Sequence, residues 1–334
     1  MFLEYYGLRE QPFGVTPDPR FLYLSPAHRE ALASLYYGIE AGRGFLSLIA
    51  KPGMGKTTLL FHLLEKFRNT ARTAFIFQTQ CSSREFMRFL LAEVGFETYE
   101  QDFVKLHEEF NKLLLQEARA GRRFIIVIDE AQNLEPSVLE TIRLLSDFET
   151  PRAKLLQIIL AGQPELADKL ATHKLSQLRQ RISLLNGLMP FSFEESTNYI
   201  HHRLKIAGHS GAPLFAPAAI QAIAQFTEGI PRNINNLCFS ALSLGCAVRE
   251  KIIGLSLVEE VISDLDITKH QTELPPLSTS DRDALRMAAN REVAGTPHDS
   301  PHVAENRVRD TLTPAEARAY MRQLAVQMKD WKRN

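Results

Sequence analysis

The chain's 334 residues suffice for two domains and a tail, and 45% of them are hydrophobic, the make-up of a soluble globular protein with a sizeable core. Lysine plus arginine and aspartate plus glutamate each total 39, so the formal net charge is zero, which excludes a global basic field for nucleic acid while leaving local patches open. Cys81, Cys238 and Cys246 form no CxxC pair and are read as core thiols, no apolar run approaches the ~20 residues a membrane span needs, and residues 1–10 lack a signal-peptide pattern. The expected location is the cytoplasm.

Residues 1–25 hold Pro12, Pro17 and Pro19 among Phe2, Tyr5, Tyr6, Phe13, Phe21 and Tyr23. The prolines exclude a long helix, and the aromatics need a surface to cover. Two readings stand: the segment caps a sheet, or part of it lines an adenine pocket. Ser25-Pro26 then supplies an N-cap and a first helical residue for a helix that turns Ala31, Leu32, Leu35, Tyr36 and Ile39 inward, with Gly42 and Gly44 ending it.

Residues 45–60, FLSLIAKPGMGKTTLL, run from a β-prone apolar stretch into a helix with Leu59, Leu60, Leu63, Leu64 and Phe67 on one face. Between strand and helix, Ala50-Lys51-Pro52-Gly53-Met54-Gly55-Lys56-Thr57 is a Walker A loop with Ala in place of the first glycine. Gly53 and Gly55 let the backbone curl so that successive N–H groups point at a phosphate held at a helix start. Lys56 is the point charge for the β and γ phosphates, Thr57 the hydroxyl for Mg²⁺, and Thr58 a contact for the α phosphate.

A second strand is predicted over residues 73–79, followed by a capping box, Ser82 with Glu85, and by a helix over 102–120. Residues 124–128 are consecutively apolar and run into Asp129-Glu130, which suits a strand buried on both faces with its acids at the carboxyl end. This is a Walker B pattern. Asp129 is the group to hold Mg²⁺, and Glu130 the one to orient and deprotonate the attacking water. A helix over 136–148 and a strand over 155–161 follow, and Gln163 stands at the strand tip, where P-loop ATPases place a group that senses the γ phosphate. Either that role or an ordinary strand-end turn accounts for it. Arg181, and second Arg179, are candidates to reach into another subunit's site; helix-surface charge is the alternative.

After a strand-like stretch at 184–191, only helices are evident: 194–207 behind a second capping box at Ser192, 217–228 stopped by Gly229, one through Ile234, Leu237, Cys238, Ala241 and Leu242, and one opened by Ser256 with Glu259. Arg232, in Gly229-Ile230-Pro231-Arg232-Asn233, is placed to reach back over a nucleotide and couple closure to the γ phosphate. Residues 268–312 are rich in Pro, Ser, Thr and charge without periodicity and are expected to be disordered. Thr313 to Glu316 caps a last helix whose Ala317, Met321, Leu324, Met328 and Trp331 make an apolar stripe suited to docking.

The order of these motifs resembles that of AAA+ ATPases. Tyr6-Gly7-Leu8, Pro12-Phe13, Thr16-Pro17-Asp18-Pro19, then AGQPEL, LRQRI and Tyr199-Ile200-His201-His202-Arg203-Leu204 are similar to the ExeA, or general secretion pathway A, group over residues 1–267. The expected fold is α/β: a P-loop NTPase three-layer sandwich with a parallel sheet over 1–191, a small helical lid domain over 192–267, a disordered linker over 268–312 and an amphipathic helix over 313–334. The resemblance implies Mg²⁺-dependent ATP hydrolysis, Gln163 as sensor 1, Arg181 as arginine finger, Arg232 as sensor 2, and a homo-oligomeric ring or filament with ATP between subunits. Secretion members typically carry a transmembrane segment and a peptidoglycan-binding region after the ATPase, and neither appears in this sequence. Three roles compete: an ATPase for secretion, exopolysaccharide or envelope assembly, recruited to a protein partner by the C-terminal helix; a transposition-helper-type ATPase on duplex DNA; and a nucleotide-dependent scaffold with little turnover.

Overall fold

The structure, a computed structural model, describes residues 2–96, 98, 100, 102–150 and 153–272. The predicted helix over 313–334 and the linker from 273 onward lie outside the described residues. Five parallel strands, β1 (Phe45–Ile49), β2 (Ala71–Ile76), β3 (Arg123–Ile128), β4 (Leu156–Gly162) and β5 (Ile182–Gly187), form one sheet in the order β2-β3-β4-β1-β5. Ile128 pairs level with Leu160, and Ile49 with both Gly162 and Gly187. The segments following β1, β3 and β4 therefore emerge together at one end of the sheet, where open α/β sheets bind ligands.

Helices cover both faces, which is why β3 is apolar from Phe124 to Ile128 and β4 from Ile158 to Ala161. The two-residue period sends Phe124, Ile126 and Ile128 to one face, against α3 (Ser83–Glu93), α4 (Phe103–Arg119), α5 (Pro136–Leu145), α6 (Pro164–Ala171) and α7 (Ser176–Arg181). Ile125 and Val127 point to the other, against α1 (Pro26–Glu40) and α2 (Lys56–Lys66). Each fully buried Leu, Ile or Phe in these layers is worth about 1.5–3 kcal/mol. Both capping boxes form with both arms in place, at Ser82 with Glu85 and at Ser192 with Glu195.

Four further helices, α8 (Phe193–Ile206), α9 (Pro217–Phe226), α10 (Pro231–Ala247) and α11 (Leu255–Thr272), surround a separate core. The N-terminal aromatics belong to that core. Tyr6, Phe13 and Phe21 are buried among α8 to α11, whereas Leu22 and Leu24 pack on the α1 and α2 side of the sheet. Arg203 of α8 clamps the turn between these aromatics: it donates to the Pro12 carbonyl and the Tyr199 hydroxyl, and its guanidinium lies 4.8 Å from the Phe21 ring centroid. The segment thus joins the two cores, its aromatic rings packing among α8 to α11 and its Leu22 and Leu24 against the helices of the sheet.

Several boundaries differ from expectation. β2 starts at Ala71 and ends at Ile76 because it pairs in register with Arg123 to Ile128 and loses its partner beyond. α11 starts at Leu255, so Ser256 lies in the first turn and is not the N-cap, and it continues through Thr272, past the expected end at 267. Of the three thiols only Cys238 is fully buried; Cys81 and Cys246 are half-buried.

Under the sheet's amino end, Glu117 of α4 is 1% exposed and takes Arg122 at 2.6 Å and Arg72 at 3.2 Å. The Arg122 hydrogen bond, with Arg72 adding to it, outweighs burial and holds the Glu117 carboxyl below the usual carboxylate range. A lowered folded value means stability that is present above the ordinary carboxylate range and lost as pH falls through the folded value. Glu117→Gln is therefore expected to lower the unfolding temperature at neutral pH, with the gap to wild type closing as thermal melts are carried into acid. A pH-independent gap would show that the carboxylate's charge is not what stabilises the site.

Candidate nucleotide site

The loop after β1 wraps the amino end of α2. Gly53 and Gly55 have φ of 79° and 83°, the left-handed region where a side chain is strained, and Met54 between them is fully buried. Lys56 opens α2 with its side chain folded back, its ammonium donating to the Ala50 carbonyl at 2.8 Å and that of Lys51 at 3.3 Å. Burial lowers its pKa, against the pull of Glu130 and Asp129. Lys51 and Pro52 are exposed, and Thr58 is half-buried one residue into the helix beyond Thr57.

The Thr57 hydroxyl donates to Asp129 Oδ2 at 2.6 Å, joining the loop after β1 to the end of β3 across 72 residues. Asp129 is 3% exposed, and its remaining hydrogen bond is from the Glu130 backbone N–H at 3.0 Å. Burial raises its pKa. A buried carboxylate facing a hydroxyl is a hard oxygen donor set, and it fits Mg²⁺.

Glu130 sits at φ 52°, a strained conformation of the kind that collects at functional sites. Two amides hold its carboxylate: Gln132 Nε2 donates to Oε2 at 2.6 Å and Gln163 Nε2 to the same oxygen at 3.0 Å. Gln163 N–H in turn donates to Gln132 Oε1 at 3.1 Å, and Lys169 of α6 bonds the carbonyls of Gln132 and Leu134. Gln163 precedes α6 but does not cap it with its side chain, so its amide serves Glu130 instead. Desolvation pushes Glu130 up, but the Gln132 and Gln163 hydrogen bonds and the charges of Lys56 and Arg232 outweigh it, leaving the pKa below the usual range.

Arg232, second residue of α10, donates its backbone N–H to the Gly53 carbonyl at 3.1 Å. A Cβ at Gly53 would stand 2.7 Å from that of Arg232, so the helical domain rests directly on the loop. Arg181 is drawn elsewhere. Its guanidinium bonds Ser146 Oγ at 2.7 Å and the Asp147 carboxylate at the end of α5, so it is engaged within its own chain, whereas Arg179 is exposed. One site residue escapes a reading of the sequence: Gln132, whose one signal is a polar side chain two positions past Glu130.

An AAA domain family model matches residues 39–170. General secretion pathway protein A of Aeromonas hydrophila is 39% identical over 244 residues, which are 72% of this chain and 44% of that protein. The chain belongs to the AAA+ P-loop family, in the ExeA group. An uncharacterised HTH-type transcriptional regulator of Methanocaldococcus jannaschii is 29% identical over 192 residues, 55% of this chain and 46% of that protein. The AAA+ chain thus spans about half the length of the curated relatives it matches. Among solved structures, the ORC2 protein of Aeropyrum pernix superposes with a TM-score of 0.59 at 16% identity, covering 86% of this chain and 79% of that one. CDC6p of Pyrobaculum aerophilum gives 0.56 at 18% identity over 71% and 68%. At these identities the likeness is one of fold. No helix among the described residues is long and apolar enough to cross a membrane.

Proposed function

We propose that this AAA+ chain binds ATP with Mg²⁺ at the loop of residues 50–58 and hydrolyses it to ADP and phosphate, driving assembly or remodelling in a secretion, exopolysaccharide or envelope-related system. The observation that carries the reading is the division of labour between adjacent acids, Asp129 turned to Thr57 and Glu130 turned to Gln163. Thr57 and Asp129 would hold Mg²⁺, which when bound neutralises charge on the phosphates. Glu130, kept ionised by its two amide donors, accepts the proton of the attacking water; Lys56 meets the phosphate charge; Gln163 fixes both Glu130 and the water's side of the site. Arg232 reaches over from the helical domain, and an arginine of α7, Arg181 or the unengaged Arg179, serves a neighbouring copy in a homo-oligomer.

The test is steady-state phosphate release by the purified protein, with Lys56→Ala as the blank. Removing the ammonium deletes a charge-assisted contact worth about 1.5–3 kcal/mol, so nucleotide binding should weaken about a hundredfold. A wild type that neither binds nor cleaves ATP overturns the reading; binding without cleavage leaves a nucleotide-dependent scaffold. Run at low salt with duplex DNA, the same assay addresses the helper-type role: stimulation that fades as salt rises marks phosphate-backbone contacts. Turnover indifferent to DNA points to a protein regulator.

A further inference from the structure

His28 lies in the first turn of α1, three residues past the Ser25 N-cap, and is 2% exposed. Nothing in the nucleotide chemistry above uses it. Its Nε2 is 3.1 Å from the Met54 carbonyl oxygen, and its Nδ1 is 2.8 Å from Ser25 Oγ. A carbonyl only accepts, so Nε2 carries the proton, and Nδ1 accepts from the Ser25 hydroxyl. Ser25 Oγ at the same time accepts the His28 backbone N–H at 3.3 Å, so both ring nitrogens and the hydroxyl are satisfied inside the protein. Burial lowers the pKa of the ring, in keeping with that neutral tautomer.

The consequence follows from the planarity of the peptide bond. In a trans peptide the carbonyl of one residue and the N–H of the next point in opposite directions. Turning the Met54 carbonyl outward onto His28 therefore aims the Gly55 N–H inward. Turning the Gly53 carbonyl outward onto the Arg232 N–H aims the Met54 N–H inward by the same rule. Two consecutive phosphate-facing donors are thus set by groups outside the loop, one from α1 and one from α10.

These two holds are connected. The His28 ring packs on Phe191, with centroids 5.4 Å apart, where the chain passes from the sheet to α8. The Phe191 N–H donates to the Gly229 carbonyl at 2.9 Å, and Gly229 leads through Ile230 and Pro231 into Arg232. Contacts run from Met54 through His28, Phe191, Gly229 and Arg232 and return to Gly53.

We propose that His28 is a positioning residue for phosphate binding, orienting the 54–55 peptide and tying that orientation, through Phe191, to the seat of the helical domain on the loop. This rests on the nucleotide-binding reading above. The experiment compares His28→Gln, whose Nε2 stands the same number of bonds from the backbone as the imidazole's, with His28→Leu, which fills similar space without a donor. Titration with a fluorescent ADP analogue and Mg²⁺, KM and kcat for ATP, and the unfolding temperature without nucleotide are measured for each.

The Leu variant is expected to bind about tenfold more weakly, the cost of one lost neutral hydrogen bond with its acceptor left buried, and the loss should fall on KM more than on kcat. The Gln variant should recover most of the affinity. Should Leu prevent folding, His28→Asn, whose amide falls one bond short of Met54, takes its place. Leu binding like wild type, or Gln as weak as Leu at equal unfolding temperature, overturns the role of His28 alone. A wild type that binds no nucleotide overturns both this and the reading it rests on.

Discussion

Glu130→Gln is expected to release phosphate at least about a hundredfold more slowly than wild type while binding ATP with similar affinity, since a positioned general base contributes roughly 10²–10⁴ in rate. The substitution preserves shape and an acceptor oxygen, so the Gln132 and Gln163 amides keep a partner at the site now occupied by Oε2. What it removes is the basic carboxylate, which the structure holds ionised in spite of desolvation. Lys56, Thr57 and Asp129 are untouched, and with them the groups proposed to grip the phosphates and Mg²⁺. Equal turnover by variant and wild type would remove Glu130 from the base role, and loss of binding in step with turnover would make it a structural group.

Gly229→Ala should cost on the order of 4 kcal/mol or more and lower the unfolding temperature by about 10 °C. The position has φ 68°, which a side chain resists, and a Cβ there would stand 2.0 Å from the Phe191 carbonyl oxygen and 2.8 Å from its nitrogen. Both obstacles are backbone, so neither can swing aside. Relief requires the turn before α10 to back away from Phe191, and the Arg232 N–H moves with it off the Gly53 carbonyl. Nucleotide affinity should therefore fall along with stability. Gly42→Ala is the control, with a similar φ of 65° and open space around its added carbon, and should cost only about 1 kcal/mol. Matching losses at the two positions, read by thermal melting, would show that left-handed strain and not the clash sets the cost.

The sequence alone sufficed for the groups whose chemistry is tied to short spacing. The loop of residues 50–57 lies between β1 and α2, and the acids at 129 and 130 follow the apolar strand β3, so local pattern alone placed the residues proposed to meet the nucleotide. The capping boxes at Ser82 and Ser192 were legible for the same reason, each being complete within four residues. The parallel sheet followed from apolar runs alternating with helical periods, and its helices found both faces as that alternation requires.

Tertiary structure decided whatever depends on a partner far along the chain. The aromatics of residues 2–23 carry no local mark of whether they cover the sheet or join α8 to α11, because an aromatic ring is satisfied by any apolar surface of the right shape, and packing chose the helices. Arg181 and Arg179 look alike in LRQRI, and only the fold brings Ser146 and Asp147 to the first and leaves the second exposed. His28 reads as one of several polar residues at the start of an amphipathic helix until the fold sets the Met54 carbonyl 3.1 Å from its ring. The physical reason is common to all three: hydrogen bonds and apolar contacts are short-ranged in space, and a sequence reports distance along the chain.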